Sequence, residues 1–68
     1  MTQCEMILDY MDRFGSISPL DAFADLGVMR LASRICDLRK SGVAISDSTV
    51  TAKNRFGQTV RFKVYRRA

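Results

Sequence analysis

Arg30, Ser33, Asp37 and Lys40 follow one another at steps of three and four residues, and Arg34 sits beside them. On a helix that spacing gathers them on one side. Guanidinium groups in such a row can pair bidentately with guanine edges, worth about 1–3 kcal/mol of discrimination each. Arg30, Ser33 and Arg34 are the leading candidates for base contact, with Asp37 and Lys40 next along the same face. Ser33 can donate or accept and would select weakly. Asp37 can accept from cytosine or pair with Arg34 or Lys40, three residues away on either side. A second cluster, Lys53, Asn54 and Arg55, has the chemistry to reach phosphates or a minor groove, contacts that position without reading sequence. The competing reading of every such cation is a solvated surface charge.

Other chemistries are poorly supplied. The 68 residues contain no histidine and no tryptophan, so the commonest general base and metal ligand is missing. Scattered Asp, Ser and Cys residues form no base–nucleophile–orienter pattern. No catalytic, cofactor-binding or metal-binding residue is assigned, and a binding module is expected in place of an enzyme. Cys4 and Cys36 are too few for a disulfide framework or a four-ligand zinc site. They read as two small apolar residues in a reducing cytoplasm, although one bridge between them is conceivable. No apolar run approaches the ~18–20 residues of a membrane span. The first residues, Thr2-Gln3-Cys4-Glu5, lack the basic leader of a signal peptide.

The net charge of +4 hides a division. Residues 1–28 carry five carboxylates against Arg13, net −4, while residues 29–68 carry ten Lys/Arg against Asp37 and Asp47, net +8. With a pI near 9.6, that asymmetry directs one part of the fold toward a polyanion.

Several elements must position these groups. Thr2 and Glu5 fit a capping box, and Cys4, Ile7, Leu8, Met11 and Phe14 draw an apolar stripe over a helix at 3–14, closed by Gly15. Ser16-Ile17-Ser18 is a loop or a very short strand. Ser18 as N-cap, Pro19 and Asp21 begin a short second helix that buries Leu20, Phe23 and Leu26 and stops at Gly27. A third helix, about 29–41, turns Leu31, Ile35 and Leu38 inward. After the apolar run Val43-Ala44-Ile45, Ser46-Asp47-Ser48 reads as a turn or irregular crossing. Residues 49–53 and 60–65 then alternate as strands around a tip at Asn54-Arg55-Phe56-Gly57. Val60, Phe62 and Val64 are expected to face the core with Ile45, leaving Arg61, Lys63 and Tyr65 outward.

Helix, short strand, two helices and a hairpin is the order of an α+β winged helix-turn-helix domain: a three-helix core with a C-terminal β-hairpin wing, here filling residues 1–68. The segment GSISPLDAFADLGVMRLASRICDLRK (15–40) resembles the helix-turn-helix region of small winged-helix proteins of phages and prophages. The resemblance continues through TVTAKNRFGQTVRFKVYRR and is most specific in LASRICDLRKSG, after a two-residue turn at Gly27-Val28. One departure is Ser33, six residues past the turn glycine, where the general pattern has an apolar residue. That predicts a shorter or tighter turn.

The resemblance implies double-stranded DNA binding by a phage or prophage transcriptional regulator. The third helix would read the major groove, and the wing would touch backbone or minor groove. Met6, Tyr10 and Met29 lie off the apolar stripes and, if exposed together, would suit a homodimer. The alternative is a winged-helix interaction module, a small phage-encoded inhibitor or adaptor. It would act on a host or phage protein partner through the acidic first helix, Phe56 and the same Met and Tyr residues. A single aromatic, Tyr65, on the outward strand face offers no stacking platform for single strands.

Overall fold

Two reciprocal caps fix where the helical body starts. The Glu5 N–H donates to Thr2 Oγ1 at 3.2 Å while the Thr2 N–H donates to Glu5 Oε1 at 3.0 Å. Ser18 and Asp21 repeat the arrangement at 3.1 Å in both directions, with Pro19 at the first helical position. In the computed structural model, which describes residues 1–68, these caps open α1 (Gln3–Phe14) and α2 (Pro19–Leu26). Next come α3 (Leu31–Lys40) and the strands β1 (Ile45–Lys53) and β2 (Thr59–Arg67). The α+β order of three helices and an antiparallel hairpin is the one expected. The backbone N–H of Thr2 holds the Glu5 carboxyl below its ordinary range. The contribution of that cap is therefore complete above the ordinary carboxylate pKa and disappears as pH falls through the lowered one.

The core contains Ile7 and Met11 of α1, Ile17, Ala22 of α2, Val28, the triplet Leu31, Ile35 and Leu38 of α3, Ile45 and Tyr65. Cys4, Leu8, Tyr10, Leu26 and Val43 pack around it. Ile17 is fully buried and exchanges two 2.8 Å backbone hydrogen bonds with Tyr65, so the short strand weighed for residues 16–18 is a single bridge on the free edge of β2. The bridge and the Tyr65 side chain root the hairpin in the helices. The rest of the wing projects into solvent, and the molecule measures 39 Å along its long axis against 22 and 21 Å across.

Several expectations are corrected. On α2 the inward residue is Ala22, with Leu26 half-buried, while Leu20 and Phe23 are 73% and 55% exposed. A methyl side chain lets this short helix lie close to the core, where a leucine or phenylalanine would hold it off. Phe14 is also exposed and stacks on Tyr10, with ring centroids 4.6 Å apart. The wing faces the other way from expectation: Tyr65 is buried, Val60 and Phe62 are exposed and Val64 is half-buried. The alternation itself holds, but the bridge to Ile17 and the reach of the helices decide which face is covered. Ser46-Asp47-Ser48 is no turn, because it pairs with Arg66, Tyr65 and Val64 inside a nine-residue strand.

The connection between α2 and α3 is longer than the two-residue turn expected, and α3 is shorter than 29–41. Gly27, in the left-handed region at φ 70°, donates its N–H to the Phe23 carbonyl at 3.1 Å and ends α2. A side chain would strain that conformation. Val28 then drops into the core, and Arg30 at φ −117°, ψ 62° is still non-helical, so α3 begins at Leu31. It ends after Lys40, where Gly42 and Val43 donate N–H groups to the carbonyls of Arg39 and Leu38 in a Schellman closure.

Because Tyr65 is the deepest anchor of the wing, Tyr65→Ala should cost about 3–5 kcal/mol. Tyr65→Phe keeps the ring and should cost less than about 1.5 kcal/mol. Urea unfolding midpoints of the two variants check both.

Candidate nucleic-acid interface

Charge on this protein is partitioned by pairing. All seven carboxylates are engaged internally: Glu5 and Asp21 in the capping boxes, Asp25 by the Tyr10 phenol, and the other four in ion pairs. Those pairs are Asp9–Arg13, Asp12–Arg67, Asp37–Arg34 and Asp47–Arg39. Tyr10 donates to Asp25 Oδ2 at 2.6 Å, and that hydrogen bond pushes its phenol up to about 12. Seven cations have no acidic partner: Arg30, Lys40, Lys53, Arg55, Arg61, Lys63 and Arg66. Three carboxylates, Glu5, Asp21 and Asp25, are held by neutral donors and keep their charge, so the seven free cations exceed the unpaired anions by the net +4.

Their placement follows from register. Residues directly opposite in an antiparallel pair share a face. Pairings Val50–Phe62, Ala52–Val60 and Ser48–Val64 therefore form a charge-free row on one face, which ends at the root in Ser46–Arg66, while Lys53–Thr59, Thr51–Arg61, Thr49–Lys63 and Asp47–Tyr65 make the other. The second face runs from the buried Tyr65 out along Lys63, Arg61 and Lys53. At its root, Arg39 of α3 donates to the Ile45 carbonyl at 2.9 Å and to Asp47 Oδ2 at 3.1 Å, with its guanidinium carbon 6.0 Å from the Tyr65 ring centroid. One side chain thus ties α3 to both strands, and the cationic face of the wing continues from the C-terminal end of α3.

The sequence candidates fall into three situations. Arg30 and Lys40 stand exposed and unpaired at the two ends of α3, Arg30 at its N-cap and not on the helix. Ser33 is half-buried, and Arg34 reaches Asp37 at 3.4 Å with 39% of its side chain exposed. Arg34 also lines a cleft with Gln3, Gly27, Met29 and Arg30, where the N-termini of α1 and α3 meet. On the wing, Lys53 and Arg55 are exposed and unpaired. The Asn54 side chain is occupied in holding the tip: its Oδ1 accepts from the N–H groups of Phe56 and Gln58 at 2.9 and 3.0 Å, and its Nδ2 donates to Gln58 Oε1 at 3.3 Å. Arg39 was missed as a positioning residue, since its partners lie six and eight residues ahead and on β2.

Met6 and Tyr10 share a cleft between α1 and α2 with Phe14 and Leu26, whereas Met29 lies in the separate cleft with Arg30, so these residues do not form one patch. Cys4 and Cys36 are unbonded. No group of three or more His, Cys, Asp or Glu side chains could hold a metal ion. No helix is long and apolar enough to cross a membrane.

Arg39→Ala should lower stability by about 1–2 kcal/mol through loss of the carbonyl bond and ion pair. Lys40→Ala, an unpaired neighbour, should stay within about 0.5 kcal/mol. Thermal or urea unfolding distinguishes the two.

The winged helix-turn-helix domain family matches residues 2–66 of the chain. Comparison with curated proteins and with solved structures gives no match.

Proposed function

The chain belongs to the winged helix-turn-helix domain family, and from that premise we propose that it binds double-stranded DNA as a phage or prophage transcriptional regulator. The carrying observation is the partition of charge: every carboxylate has an internal hydrogen-bond or ion-pair partner, and six of the seven free cations lie at both ends of α3, along the wing face joined to it or at its tip, with Arg66 alone on the opposite face. A duplex presents one negative charge per about 1.7 Å of axis, and its major groove admits an α-helix. In this reading α3 enters the major groove. Arg34 and Ser33 point toward base edges from its first turns, Arg30 and Lys40 flank them, and Arg61, Lys63, Lys53 and Arg55 follow the adjoining backbone. Asn54 shapes the tip that presents its neighbours. The protein acts as a binder without catalysis or cofactor, in a reducing cytoplasm where Cys4 and Cys36 stay thiols.

Binding-site selection from random duplexes at two salt concentrations tests this. Log affinity should fall with log salt at a slope of about −0.9 per phosphate neutralised. Lys53→Ala or Lys63→Ala should each reduce that slope by about 1 without changing the selected motif. Arg30→Ala/Arg34→Ala should degrade the motif, and wild-type affinity and selectivity in that variant would refute the assignment of α3. Asp37→Asn, which releases Arg34, should tighten binding about two- to fivefold, the worth of one exposed ion pair.

A homodimer is favoured by a separate observation. Leu20 and Phe23 of α2 lie exposed, and Leu20 shares an apolar cleft with Pro19 and with Val60 and Phe62 of the charge-free row of the wing. Because Pro19, Leu20, Val60 and Phe62 carry no charge, two copies can approach over this cleft without opposing cations. Pairing would also offer two recognition helices for half-sites one duplex turn apart. Sedimentation equilibrium at micromolar concentration should show a dimer that Phe62→Glu converts to monomer. A monomeric wild type would eliminate this arrangement.

A further inference from the structure

Phe56 is 86% exposed, the most exposed of the large hydrophobic side chains, and it occupies the far end of a 39 Å molecule. It belongs to neither the core nor any cleft. The ring does not fold back against the wing.

The segment that carries it is braced. Asn54 Oδ1 accepts the Phe56 N–H, Gly57 returns its N–H to the Asn54 carbonyl at 3.0 Å, and the Asn54 N–H donates to the Gln58 carbonyl at 2.9 Å. Gly57 sits at φ 76°, a left-handed conformation that admits no side chain without strain. The ring is thus held out on a short, internally bonded loop, flanked by the unpaired cations Lys53 and Arg55.

This combination narrows the surface that can receive it. Flanking cations disfavour an uncharged protein surface, since each would lose hydration without a counter-charge. A duplex supplies both needs at once: phosphates lining the groove for the cations, and stacked bases between them as the apolar target. We propose that Phe56 is a wedge that enters the minor groove and inserts between two base pairs, partly unstacking the step and bending the duplex. This rests on the duplex-binding reading and adds an activity to it, since the protein would deform its site as well as read it. Pyrimidine–purine steps open at least cost, so the site should favour TA or CA beneath the wing with no base-edge hydrogen bond there.

The experiment uses the full chain and a selected duplex with 2-aminopurine at the step under the wing and a fluorophore pair at its ends. Wild type should brighten 2-aminopurine and shorten the end-to-end distance. Phe56→Ala should lose both signals and bind about tenfold more weakly, while its salt slope, which counts cations, stays unchanged. Phe56→Leu should retain most of the bend. The ring makes no intramolecular packing, so unfolding midpoints should be equal and a folding defect is separable. Salt-dependent binding without bending by wild type, or equal bending by Phe56→Ala, overturns the wedge alone. Absence of salt-dependent duplex binding by wild type overturns the duplex reading and the wedge with it.

Discussion

The two backbone hydrogen bonds between Ile17 and Tyr65 are the constraint from which the rest of this structure follows. A two-stranded hairpin is marginal by itself, and most of this one has no core to lie on. Its root is secured because Ile17, buried between α1 and α2, completes the edge of β2, and because the Tyr65 ring enters the core from the same register position. That junction fixes which face of the wing turns toward the helices. It thereby fixes that the cationic face continues from α3 and that the row of Val60 and Phe62 opens beside α2.

Pairing works at the same level as packing. Acidic side chains that would repel a polyanion are each committed, some to helix starts and some to arginines whose own positions they hold. Exposed pairs add little to stability. Their larger effect is on where the outward field lies, because each one cancels a carboxylate against a neighbouring arginine and leaves the excess charge on the unpaired cations.

What the sequence disclosed was local. Caps, helix stops and the α3 core triplet depend on neighbours within four residues, so Thr2, Ser18, Gly27 and Leu31 are legible by eye. Strand alternation was legible too, but its direction was not: Val60-Phe62-Val64 is the greasier row, yet Tyr65 is buried because a bridge forty-eight residues back in the chain selects its face. Ala22 was overlooked beside Leu20 and Phe23 because hydrophobicity ranks side chains by size, while a close helix contact selects for smallness. Val28 moved the start of α3 by filling the core before the helix begins. The roles of Arg39 and Asn54 depend on where the hairpin folds, so no spacing rule announces them. Charge asymmetry was visible in composition, but only the pairings show which cations remain free.

The three-way grip of Arg39 has a mechanical corollary. By holding the Ile45 carbonyl, Asp47 and the Tyr65 ring together, it braces the joint between rod and arm. The two then resemble the jaws of a calliper biased to one gauge, and an object gripped by both at least cost is one that already matches that opening.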